Sequence, residues 1–448
     1  MTCAVDSELL VRGRVLTLEP DLWSDAVLFH GNRLVAVGDE AQASASASEP
    51  GATTVDLGEE EVAFAGFADH HLHLLAMAAA RCSVDADQPS LPLVLDAIAR
   101  AASEAAPQAW IRAVGYDDAL VEERRHPSRF ELDAAAGGRP TVLHHRTGHV
   151  AVLSSAALAT LGIEDHPDGV LVDRHDLLAR VPPLLAGALL GSLDQVLADL
   201  ASRGIVAATD ATHTNDRKTL ELLDRSHEIA VQAMVGWDRL DRLAYGERLG
   251  SVVVGAAKIM PGPGGGALTA AGKSVDLGVA VTTAHRAGFP AAIHVMDIDT
   301  LAEALDALAR SSPPAGTRDR IEHCSLALPE QLDALAQLSV DVVTQPSFVN
   351  RRAAKYREQL SAVEQGWLWP LASLQQRGIT VRYSSDAPVA PARPADWLAA
   401  ATRRELNSGE EVGWVGALMS SAAGPLLPGS HGTLVVFDRD SGAVRRLR

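Results

Sequence analysis

Val62-Ala63-Phe64-Ala65-Gly66-Phe67-Ala68-Asp69-His70-His71-Leu72-His73 is an apolar run that ends in a cluster of histidines. Residues two apart on a strand share a face. His71 and His73 therefore offer two imidazoles to one cation while Leu72 points away. Imidazole suits zinc and its neighbours in the transition series. A His-x-His pair where a first β-strand stops matches the C-terminal face on which α/β barrels carry their active sites.

Downstream of this run the chain alternates apolar strands with amphipathic helices. The pattern predicts strands over 62–69, 205–211, 230–236, 252–260, 290–295, 319–323, 340–345 and 379–385, with helical segments such as 300–310 and 329–338 between them. Strand–helix alternation implies a parallel sheet, and eight such strands imply closure into a barrel. The long interval 74–183 separates the first strand from the second. It reads as an insertion, at about 74–190, that covers the barrel mouth. Both ends of the chain read as β-structure. Residues 8–18 read as a strand, a glycine turn at Gly13 and a second strand. Residues 26–38 read as a hairpin turning at Gly31-Asn32, residues 39–51 as a helix or loop, and residues 432–438 as a further strand. The expected architecture is α/β: a barrel over 58–425, flanked by a small β-domain composed of 1–57 and 426–448.

Three more polar residues end predicted barrel strands: His294, His323 and Asp386. One strand-end histidine is commonly structural, but a metal site collects ligands from several strands, and here every candidate stands at an equivalent position. Lys258 lies inside the apolar run Val252-Val-Val-Gly-Ala-Ala-Lys258-Ile-Met260, in a chain with four lysines. A lysine there is costly unless neutralised or paired. Either its stem reaches an acid, or CO2 carboxylates the amine to an anion able to bridge two cations.

The bulk properties exclude other classes. A formal charge of -18 argues against nucleic-acid binding and favours a small-molecule substrate. Cys3, Cys82 and Cys324 are too few and scattered for a disulfide framework. The first residues have neither a basic nor an apolar signal region, and no stretch is long and apolar enough to span a bilayer. The expected location is cytoplasmic, without membrane partner. A homodimer is the default assembly.

Taken together, these residues in this order resemble the amidohydrolase superfamily, over nearly the whole chain. The resemblance is closest to the branch with a long insertion after the first strand, which includes N-substituted formamide deformylase-like proteins (amidohydrolase family 3). The segment 65–73, Gly148-His149 with Ser154-Ser155-Ala-Ala-Leu158, His285-Arg-Ala-Gly288 with His294, Arg320-Ile-Glu-His323 and Ser385-Asp386-Ala-Pro388 are similar to motifs of that branch. The resemblance implies a distorted TIM-like (β/α)8 barrel and a metal-dependent hydrolase of C–N bonds other than peptide bonds: amides, cyclic amides, formamides or ureas. It further implies two divalent metals, zinc by preference. His71, His73 and Asp386 would hold one, His294 and His323 the other, with carboxylated Lys258 between them. Asp386 would be the catalytic proton carrier, and His149 would reach the substrate from the insertion.

The sequence departs from that branch at Ala65, at Ser154 and in the glycine-rich run after Lys258. Asp297 follows His294 where the branch carries a different pattern, and is expected to meet the substrate at the mouth. An acid three residues after the fifth-strand histidine also fits a mononuclear deaminase of heterocycles, although those enzymes use Glu and lack the fourth-strand lysine. A metal-free binding protein on the same scaffold is the third reading. Metal content of about two, one or zero ions per chain separates them.

Overall fold

The computed structural model describes residues 8–447, apart from 20, 48–51, 107, 173, 179, 226, 227, 263, 430 and 431. Cys3 and the N-terminal signal reading lie outside the described residues.

Beside a short antiparallel strand, Arg248–Leu249, eight parallel strands form the central sheet. They are β1 (Phe67–Leu72), β2 (Ile205–Asp210), β3 (Ala230–Gly236), β4 (Val252–Ile259), β5 (Ala291–Val295), β6 (Asp319–His323), β7 (Val340–Thr344) and β8 (Thr380–Tyr383). They pair in that order from β1 to β8. No strand ladder joins β8 to β1. The gap closes just beyond β8, where Asp386 N–H donates to the His71 carbonyl and His73 N–H to the Ala387 carbonyl, each at 2.8 Å. The result is a nearly closed barrel, and its seam is stitched by the residues expected to carry chemistry.

Alternation along each strand builds two layers. Val252, Val254, Ala257 and Ile259 of β4 face outward and pack with Leu277, Val281, Leu301 and Leu308 from the surrounding helices. Ala256 faces the barrel interior with Ala211, Met234 and Ala292. Small side chains there leave the inner face to the polar residues at the strand ends.

The predicted strand 62–69 divides in two. Glu61–Phe64 pairs antiparallel with Val435–Asp438 in the terminal sheet, whereas Phe67–Leu72 is barrel strand β1. Gly66 makes the break with φ +96°, and a Cβ on it would lie 2.6 Å from Val206 Cγ1. Only glycine fits that backbone and that approach. Gly13 corrects a second expectation. Glu8–Leu16 is one continuous strand, and the glycine marks an irregularity between Arg12 and Val15 instead of a turn.

The terminal sheet joins both chain ends through Glu8–Leu16, Trp23–His30, Arg33–Val37, Thr53–Asp56, Glu61–Phe64, Val435–Asp438 and Val444–Arg446. Phe67 of the barrel stacks edge-on against Phe64 and Phe437, at 4.7 and 5.6 Å between ring centres, so sheet and barrel share one apolar contact. The insertion after β1 is a five-stranded sheet of Val84–Asp85, Ile111–Tyr116, Thr141–His145, Val150–Leu153 and Val170–Val172 with its own core. The helix Ala186–Ser202 returns the chain to β2. No helix among the described residues is long and apolar enough to cross a membrane.

Candidate active site

His71 and His73 extend from the end of β1, and Asp386 follows β8 in the left-handed region at φ +59°. The Asp386 carboxylate lies 3.2 Å from His73 Nε2 and 3.7 Å from His71 Nε2. One potential ligand atom from each of the three falls within 4.8 Å of the others, a spacing that a single cation can gather. On the opposite wall His294 Nδ1 and His323 Nε2 stand 3.0 Å apart, and the rings of His71 and His323 are 4.7 Å apart between centres. The five residues thus line one continuous surface inside the barrel's C-terminal end.

His323 reaches this surface by a break in the strand. Its φ is +72°, so alternation fails at the last residue of β6 and both Glu322 and His323 turn inward. Cys324 turns outward into the apolar layer, where burial pushes its thiol up to about 12.

Burial is the main influence on the imidazoles. It holds His71 and His294 well below the ordinary histidine value and lowers His323. Neutral imidazole is the form that ligates metal. Burial also opposes ionisation of Asp386, but the hydrogen bond with His73 and the surrounding imidazoles keep the carboxyl below its usual range. Lys258 of β4 projects into the same interior. It is 2% exposed, and its Nζ has no hydrogen-bond partner among the described residues. Burial draws its pKa down to about 8, against the pull of Glu322 and Asp386.

A ring of further polar groups fixes the candidates. His71 Nδ1 meets the fully buried Glu322 carboxylate at 2.5 Å, and Arg320 grips that carboxylate at 2.8 and 3.3 Å. His73 Nδ1 meets Thr212 Oγ1 at 2.9 Å. His323 Nδ1 meets Gln345 Oε1 at 2.7 Å, and Gln345 donates on to Ser384. Asp69 accepts from the Ser385 hydroxyl and amide at 2.5 and 3.1 Å, so the stretch leading to Asp386 is held from β1. Contacts of this kind orient the imidazole and leave its other nitrogen free for an ion. Glu322, Gln345 and Thr212 were not singled out from the sequence. Alternation could not have found Glu322, because with His323 inward it places Glu322 on the outer face.

Two expected mouth residues differ in placement. Asp297 caps the helix Ile298–Ala309, and its two oxygens accept from Thr300 N–H at 2.8 Å and Thr300 Oγ1 at 3.0 Å. Its carboxylate is thus engaged at the start of that helix. His149 is exposed on the insertion, in the neighbourhood of His294.

Comparison with known proteins places the chain in a family. Residues 53–425 match the amidohydrolase family. The chain is 27% identical to an N-substituted formamide deformylase of Arthrobacter pascens, over 98% of this chain and 96% of that one. It is 24% identical to the putative amidohydrolase YtcJ of Bacillus subtilis (strain 168), over 79% of this chain and 75% of that one. Among solved structures it resembles an uncharacterized metal-dependent hydrolase from Pyrococcus horikoshii OT3, with a TM-score of 0.72 and 21% identity over 97% of this chain and 98% of that chain. A second such hydrolase, from Pyrococcus furiosus, gives 0.71 and 21% over 97% of this chain and the full length of that one. A family match across most of the length, on a chain whose strand-end histidines and aspartate gather inside an eight-stranded barrel, makes this protein an enzyme of the amidohydrolase family.

Proposed function

We propose that the enzyme hydrolyses a non-peptide C–N bond of amide, cyclic amide, formamide or urea type, with divalent metal, by preference two zinc ions, bound among the strand-end residues. The observation that carries this reading is the convergence of His71, His73 and Asp386 within 4.8 Å, facing His294 and His323 across the same interior. The donor set fits a metal: burial disfavours the charged forms of His71, His294 and His323, and Thr212, Glu322 and Gln345 each occupy one ring nitrogen of a candidate ligand. His71, His73 and Asp386 would hold one ion, and His294 and His323 a second.

Lys258 suits the place between them. An amine without a partner, its pKa drawn down to about 8, has a larger neutral fraction to react with CO2. That reaction of the neutral amine forms an N–C bond and releases one proton, leaving an anionic carbamate in its place.

Bound metal would polarise the substrate carbonyl and lower the pKa of the attacking water. The protein's own groups handle the proton. Asp386, ionised and beside His73, takes it from the attacking water and delivers it to the leaving nitrogen, which departs as a neutral amine. His149, on the insertion near His294, donates a hydrogen bond to the substrate.

The test is elemental analysis of the purified chain, with a hydrolysis screen of N-acyl, N-formyl, cyclic amide and urea compounds with zinc supplied. About two ions per chain, and turnover that disappears on chelation and returns with zinc, is the expected result. A chain that binds no divalent metal at all sinks the proposal.

A further inference from the structure

We infer that a recess between the insertion and the loops after β7 and β8 binds a carboxylate carried by the substrate itself. The inference rests on the hydrolase reading for its location, and it names the substrate class that reading leaves open.

Five cationic side chains line the recess: Arg124 and Arg146 from the insertion, and Arg351, Arg352 and Lys355 from the segment after β7. Asp117 is the one acid among the lining residues. The whole chain carries a formal charge of -18 and four lysines, so this concentration of positive charge runs against the composition. Like charges brought together repel unless an anion sits among them. Arg351 feels this crowding: burial and then Arg146 lower its pKa, with Asp87 and Asp396 pulling the other way.

Arg146 is the residue that most needs a partner. Its side chain is 9% exposed. Nη2 pairs with Asp87, but Nε is buried without a hydrogen-bond partner among the described residues. A guanidinium left unsatisfied in a buried place is expensive, and a carboxylate is the acceptor whose geometry it matches. Arg352 is held over the Phe348 ring at 4.9 Å, which positions its charge at the rim.

The recess adjoins the candidate active site. Val389, on its wall, donates its N–H to the Asp386 carbonyl at 2.8 Å. The wall therefore begins one turn, about 7 Å between Cα atoms, from Asp386. Arg146 and His149 leave the insertion in one short loop, and His149 approaches His294. A substrate whose carboxylate lies several bonds from its scissile C–N bond spans that separation. A second cation centre at Asp117, Asp118 and His145 is the competing reading, since their ligand atoms fall within 4.8 Å. The five neighbouring cations oppose it, and His145 is already bonded to Asp118 at 3.1 Å and Thr147 at 2.8 Å.

The experiment uses the full zinc-loaded chain and N-methylsulfonyl amino acids of increasing chain length. These sulfonamides have no acyl carbon to hydrolyse. Each is titrated calorimetrically against the primary alcohol that replaces its carboxyl group, which is neutral and has no amide bond to cleave. At the matching length the acid is expected to bind about tenfold tighter than the alcohol, as a charged hydrogen bond to a buried arginine allows. Lys355→Met, and Arg352→Met with Lys355→Met, are expected to shrink that ratio, with thermal unfolding as the check on folding. Equal binding of acid and alcohol at every length overturns the inference. So does an absence of binding up to about 10 mM, or an equal loss for acid and alcohol in the variants. Hydrolysis of the N-formyl and N-acetyl counterparts is measured alongside. Turnover without carboxylate preference leaves the hydrolase standing and removes the recess. Carboxylate preference that depends on the cations, without turnover of any counterpart, does the reverse.

Discussion

Glu322→Gln is the substitution that separates fold from chemistry most cleanly. Glu322 is fully buried, accepts from Arg320 at 2.8 and 3.3 Å, and meets His71 Nδ1 at 2.5 Å. Gln keeps the shape and removes the charge. The Arg320 guanidinium, 14% exposed, then has no counter-charge. Breaking one side of a buried pair costs about 3–5 kcal/mol. A urea midpoint followed by fluorescence of the buried Trp369 and Trp397 is expected to fall by on the order of 1 M. His71 simultaneously loses the carboxylate that fixes its ring, and zinc retention is expected to weaken by about 10–100-fold. Arg320→Met added to Glu322→Gln tells the two effects apart. With the stranded cation gone, most of the stability returns, while zinc retention stays weak because His71 still lacks its carboxylate. Two outcomes refute the reasoning. Either Glu322→Gln leaves both midpoint and zinc content unchanged, or the double variant recovers zinc together with stability.

Three further outcomes are expected. Lys258→Met, which removes a buried amine without a hydrogen-bond partner for an apolar chain of similar length, is expected to leave the urea midpoint unchanged or higher while abolishing turnover; a drop of more than about 1 kcal/mol in stability argues that the amine is structural. Asp386→Asn is expected to lower turnover by about 10²–10⁴ with the fold intact, and near-wild-type rates on a confirmed substrate would remove Asp386 as the proton carrier. In the insertion, Ser128 and Glu131 form a capping box on the helix Arg129–Ala135, and the hydrogen bond from Arg125, with those from Ser128, holds the Glu131 carboxyl down to about 2. Because that value is depressed, the cap's contribution is full above the ordinary carboxyl range and fades as pH falls towards about 2. Hydrogen exchange should show this helix losing protection in acid, and Ser128→Ala should weaken it at neutral pH by about 1 kcal/mol.

The barrel was legible because its signals are local. Strands β3 and β6 begin and end where alternation and strand-end polarity place them, and the His-x-His pair needs only a two-residue period to share a face. The cap at Asp297 was also local, since an Asp three residues before Thr300 at a helix start is a readable signal that a reading for substrate contacts overlooked. Other features depended on atoms distant in sequence. Gly66 divides the first predicted strand because Val206, 140 positions away, leaves no room for a Cβ. Glu322 and His323 both face inward because a positive φ interrupts the alternation that a sequence pattern must assume. The cationic recess joins residues 124 and 146 to residues 351, 352 and 355 across an insertion and most of a barrel. Periodicity fixes which face of its own strand a side chain takes. Which distant charges then share that space, and what they need between them, depends on how the strands and the insertion pack.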